Sequence, residues 1–276
     1  MNKLYKNTFF LNNDLLISKK IQNISFYFFY FSPTIFVQNF DFSMCPIEYF
    51  DHYIDKETCY KLVHKDEYDD LFIDNKNTCP FSAISLYHIF SGCQLLHKNN
   101  ISFILSDDSI IFLKRDVLRE NNLPVLQNFC YSFYFPHISF DLLVSYFPID
   151  FLQNKYICLD VFLICYLVQY EIDTFNLSHL DEVVTLFLKD RQYYDKNYVI
   201  FNLQYFLNFS QVKIIKYLFQ FKYTWSFVSL CDYFLVNCKD LCNKFHLTEL
   251  FKNYINSLPK ERNKELINNI YECIFI

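Results

Sequence analysis

The sequence predicts an α+β fold with three parts: a mixed region over residues 1–98, a compact α/β module over 99–191 and an all-helical region over 192–276. Three observations carry this. Aromatic and β-branched runs bounded by turn residues crowd the first half. Helix-start residues followed by apolar positions at helical spacing recur through the second half. Hydrophobic residues make up 53% of 276 residues, enough to bury a sizeable core.

In the first region, Phe26 to Phe31 and Thr34 to Val37 predict strands on either side of Ser32-Pro33. Pro46 to Ile54 and Lys56 to His64 predict short helices, and Thr78 to Ser91 a longer one closed by Gly92 as its C-cap. The polar run His97-Lys98-Asn99-Asn100 marks a boundary. In the module, Ile101 to Leu105 and Ile110 to Leu113 predict a strand pair joined by Ser106-Asp107-Asp108-Ser109, where Asp and Ser make the turn that glycine usually makes. Helical segments at Arg115 to Arg119 and Leu123 to Phe129 follow, then a strand at Cys130 to Phe135. Ser139 is placed to cap a helix over Phe140 to Tyr146, which Pro148 ends.

Beyond that point the pattern is helical throughout. Tyr156 to Tyr170 is an apolar helix, and Ser178-His179-Leu180-Asp181 resembles a capping box opening a helix to Lys189. Asp195 to Leu207, Ser210 to Phe219, Thr224 to Val236, Thr248 to Asn256 and Pro259 to Cys273 continue the series.

Composition removes whole classes of function. Gly92 is the only glycine, whereas phosphate-cradling loops, dinucleotide fingerprints and nucleophile elbows each need at least two. The net charge is −5 with no long basic run, which argues against a nucleic-acid partner. Aromatic residues beside lysine, as in Phe219-Gln220-Phe221-Lys222-Tyr223, suit core packing in a chain with 34 Phe and 23 Tyr. That aromatic surplus, with Ala83 the only alanine, fits a source with an AT-rich genome. Eleven cysteines, an odd number without framework spacing, predict a reducing, cytoplasmic setting. The apolar runs Ile24 to Val37 and Ile157 to Val168 are too short to span a membrane, and the second carries Asp160.

The order of elements over residues 100–190 resembles a BTB/POZ domain. The strand, turn and strand of Ile101 to Leu113 lead into Val117-Leu118, and Phe140-Asp-Leu-Leu-Val-Ser-Tyr146 looks like the family's helix with an apolar start. Tyr156 to Tyr170 and Leu177 to Leu188 are similar to its last helical pair, and Asn197 to Cys273 to the BACK-type helical extension that often follows. The resemblance implies a homodimerising or partner-binding module, often one that recruits a cullin-3 ubiquitin ligase.

Candidate chemistry is sparse. Cys238, Cys242 and His246 share one face if they lie on one helix, so they form a candidate zinc set; buried core thiols are the competing reading. Cys45 and Cys79 precede prolines at expected helix starts, where a thiol pKa falls. Asp69-Asp70 and Asp107-Asp108 read as a solvated loop and a turn. No catalytic residue, cofactor or metal site is assigned. The favoured function is protein–protein interaction, dimerising or adaptor-like, with no nucleic acid and no membrane span. The alternatives are a divergent Cys–His hydrolase and a structural subunit of a larger assembly.

Overall fold

The computed structural model describes residues 16–24, 30–31, 34–36, 50–55, 59–64, 81–105, 109–112, 124–126, 129, 132–134, 152, 154–262 and 265–276. The chain divides into two compact units, Met1–Phe135 and Pro136–Ile276. This division falls inside the span expected to be a single module. At the coarse level the fold is α+β, with helices predominant and small antiparallel sheets.

The first unit holds the strands. β1 (Thr34–Phe36), β2 (Phe50–Asp55) and β3 (Cys59–His64) form an antiparallel sheet in the order β1-β3-β2. In the register of β2 and β3, Phe50 faces His64 and Asp55 faces Cys59. Both had been expected as short helices. Six-residue segments of mixed apolar and polar residues satisfy either period, and a pairing partner decides between them.

Helix α1 (Ala83–Lys98) also departs from expectation. Ser82 is its N-cap, accepting from the Ser85 backbone N–H at 3.1 Å, and the helix runs through Gly92 instead of stopping there. Its end is marked by Asn100, with φ of 61°, a left-handed role that asparagine takes in a chain almost without glycine. Gly92 serves a close approach: a Cβ there would lie 3.3 Å from Tyr30 Cδ1 and 3.5 Å from Leu126 Cδ1.

The expected strand pair over 101–113 is also corrected. β4 (Ile101–Ser102) pairs with β7 (Phe133–Tyr134), and β5 (Ile110–Phe112) pairs with β6 (Pro124–Leu126), a segment expected to be helical. Each strand takes a partner distant in sequence, because burial of Phe103, Phe129, Val125 and Leu126 outweighs a local turn. Phe103 and Phe31 both meet Phe129 edge-on, with centroids 5.6 and 6.3 Å away. The strand–turn–strand on which the family resemblance opens is thus absent from the described pairings. The helices expected at Arg115 to Arg119 and Phe140 to Tyr146 lie outside the described residues.

The second unit is helical: α2 (Leu159–Gln169), α3 (Leu177–Leu188), α4 (Lys196–Gln204), α5 (Gln211–Phe219), α6 (Trp225–Asn237), α7 (Lys239–Lys244), α8 (Leu247–Ile255) and α9 (Leu266–Phe275). Single 3₁₀ turns occupy Lys222–Thr224 and Pro259–Glu261. Two expected starts hold closely, Asp195 capping α4 and Ser210 capping α5 through their side chains, whereas the helix expected from Pro259 begins only at Leu266, after the 3₁₀ turn. For α3 the cap is Asn176, which forms the capping box with His179, two residues before the Ser178 expected. α2 is buried from Leu159 through Leu167, as a helix apolar on nearly every side must be. No helix among the described residues is long and apolar enough to cross a membrane.

Candidate functional site

Burying α2 on all sides creates a problem at its first turn. Asp160 suits the positive end of the helix dipole, but it is only 3% exposed and cannot reach water. Arg262, which follows the Pro259–Glu261 turn, resolves this. Its Nη1 donates to Asp160 Oδ2 at 2.6 Å and its Nη2 to Oδ1 at 2.9 Å, a two-pronged pair with both side chains buried. Trp225 Nε1 donates to the same Oδ2 at 3.2 Å, and Arg262 Nη1 also donates to Thr224 Oγ1 at 2.9 Å. Burial alone would lower the Arg262 pKa; the facing Asp160 charge and its hydrogen bonds raise it above the ordinary arginine value. The pair ties the start of α2 and the start of α6 to the segment before α9.

Beside this clasp lies a hollow of about 340 Å³. Leu159, Asp160 and Leu163 of α2, Phe201 to Phe206 of α4 and its following turn, Tyr217 and Leu218 of α5, and Leu258 to Lys260 line it. The apolar walls come from the buried stripe of α4 and α5: Leu203, Phe206 and Leu218. The opposite stripe of α4 carries Tyr198, Phe201 and Tyr205 at helical spacing, exposed by 43, 58 and 52%. Tyr205 packs edge-on or tilted against Phe206, Phe209 and Tyr217, so the rim is a connected aromatic cluster instead of isolated rings. Lys213 Nζ sits 3.5 Å from the Phe209 ring centroid at its edge.

A second buried polar group lies in the same unit. Arg191 donates through Nη1 to the Phe187 carbonyl at 2.7 Å, closing the end of α3, and its guanidinium lies 4.2 Å from the Phe187 ring centroid. Asp232 of α6 has its pKa pushed up to about 6 by burial, partly offset by the Arg191 charge. Burial raises the Tyr194 hydroxyl further, with Asp232 adding to it. Among the described residues, Arg191 Nε, Tyr194 Oη and Asp232 Oδ1 are all buried without a hydrogen-bond partner, an arrangement that costs stability.

The candidate zinc residues do not share one helix. Cys238 ends α6, Cys242 lies in α7, and His246 stands between α7 and α8 with φ of 55°. Cys242 is buried and donates Sγ–H toward the Phe234 carbonyl, whereas His246 is exposed. Among the described residues no group of three or more His, Cys, Asp or Glu is placed to hold a metal ion. Cys93, Cys158, Cys165, Cys231, Cys238 and Cys242 are buried thiols outside any disulfide, and Cys273 is an exposed one. Burial drives the Cys158 thiol up to about 12 and those of Cys165 and Cys231 well above the usual range, the reverse of what a thiolate nucleophile needs. Cys45, Cys79, Asp69-Asp70 and Asp107-Asp108 lie outside the described residues.

Sequence reasoning passed over the hollow and the clasp. One signal was present: Asp160 is the lone charge in an apolar run, and such a residue needs a buried partner. Nothing local marked Arg262 as that partner, 102 residues away. No family model, curated protein or solved structure matches this chain.

Proposed function

We propose that the chain is a protein–protein interaction module, and that it binds through the aromatic face of α4 over the adjoining hollow. The carrying observation is the exposed pair Phe201 and Tyr205, which line an apolar cavity of about 340 Å³ and continue the exposed stripe begun by Tyr198. Large aromatic side chains left in water cost solvation free energy, and a contiguous group of them beside a cavity is the usual mark of a surface that a partner covers. The clasp behind the hollow fixes its wall, so the face is preorganised.

Panning a random-peptide display library against the intact chain tests this reading. Enriched peptides that compete with one another and lose binding to the paired variant Phe201→Ala, Tyr205→Ala support it. Failure to enrich, or peptides indifferent to that variant, refutes it. Trp225 fluorescence of the variant checks that its fold is intact.

A further inference from the structure

The face around the hollow has a charge as well as a shape. From Lys196 to Cys231 the sequence contains no Asp or Glu, while Lys196, Lys213, Lys216 and Lys222 punctuate it. Lys260 lines the hollow itself, and Lys213 flanks the aromatic rim through Phe209. Asp160 in its wall is paired with Arg262, and Glu261 lies close enough to act on Tyr217. Two of the helices that wall the hollow, α4 and α5, thus carry lysines and no acid on a chain whose net charge is −5. The cavity is concave and walled mainly by apolar side chains, which suits an inserted aliphatic or aromatic side chain better than a base stacking on a flat ring.

We infer that the partner is an acidic amphipathic peptide segment: one or two apolar side chains enter the hollow, and flanking carboxylates meet Lys213 and Lys260. This rests on the reading of the hollow as a docking face and adds the charge of what docks. Carboxylates beside the anchor pair with the exposed Lys213 and Lys260 and steer encounter, whereas a basic segment of equal apolarity is repelled.

The test uses the intact chain and three fluorescein-labelled probes. One is a helical peptide with Leu and Phe at the i, i+3, i+4, i+7 positions and Glu elsewhere; the second replaces every Glu by Lys; the third is oligothymidylate. The expected result is binding of the acidic peptide only, weakened roughly tenfold by raising salt well above physiological strength. Phe201→Ala with Tyr205→Ala abolishes it, and Lys213→Glu with Lys260→Glu shifts preference to the Lys peptide. Equal, salt-insensitive binding of both peptides, lost in the aromatic variant, overturns the charge inference and leaves the docking reading standing. Binding of oligothymidylate in place of the acidic peptide overturns both. No binding of the acidic peptide overturns the inference, and the display selection then judges the docking reading separately.

Discussion

Replacing Arg262 by Met should destabilise the helical unit by about 3–5 kcal/mol, because it leaves Asp160 charged, buried and nearly alone. The structure supplies the reasons for that size. Both side chains are only 3% exposed, the pair is two-pronged at 2.6 and 2.9 Å, and the remaining donor to Asp160 is Trp225 Nε1 at 3.2 Å. A domain is typically stable by only about 5–15 kcal/mol, so the loss is a third or more of the total. The double variant Asp160→Leu, Arg262→Met removes both charges and should recover most of that loss, since an apolar pair of similar volume is often neutral relative to a buried ion pair. Urea unfolding is read by far-UV circular dichroism and by Trp225, the only tryptophan and fully buried at the clasp. A loss below about 1 kcal/mol for Arg262→Met, or a double variant as unstable as the two single changes summed, would refute the reasoning.

Three further outcomes follow from other sites. Asp232, with a folded pKa of about 6 above its ordinary 3.8, contributes stability present below about pH 4 and lost as pH rises through 6. Asp232→Asn should therefore flatten the stability–pH profile across that window and raise stability at neutral pH by up to about 3 kcal/mol, measured as urea midpoints at several pH values. Glu171 holds a left-handed conformation, φ 51°, where the chain leaves α2, so Glu171→Gly should raise stability by roughly 1 kcal/mol; an unchanged thermal midpoint contradicts this. Gly92→Ala should be neutral or stabilising by up to about 1 kcal/mol through helix propensity, since the half-exposed Tyr30 can yield at 3.3 Å, whereas Gly92→Leu should cost about 1–3 kcal/mol by overpacking.

The helical half was legible because its signals are local. Asp195 and Ser210 stand where the helices were expected to begin, and the apolar spacing of α2, α5 and α8 appears over single turns of chain. The strand half was not, because pairing is a property of two segments. Phe50–Asp55 and Cys59–His64 fit a helical or an extended period equally, and Ile110–Phe112 preferred Pro124–Leu126 to the nearer strand across a plausible turn. The candidate site failed to show for a related reason: Phe201 and Tyr205 are two aromatics among many until α4 is oriented and one of its stripes is left in water.

By itself the sequence determined what this protein lacks and where its helices begin. A single glycine excludes phosphate loops, and capping side chains act within four residues, so both conclusions need no third dimension. Only the tertiary structure decided which residues meet. It joined Asp160 to Arg262 across 102 positions, separated His246 from Cys242 by breaking the helix between them, and left one aromatic stripe uncovered beside a cavity. The physical reason is that burial acts on whole surfaces: a charge finds its partner, and a ring finds water or a neighbour, only once the helices that carry them have packed.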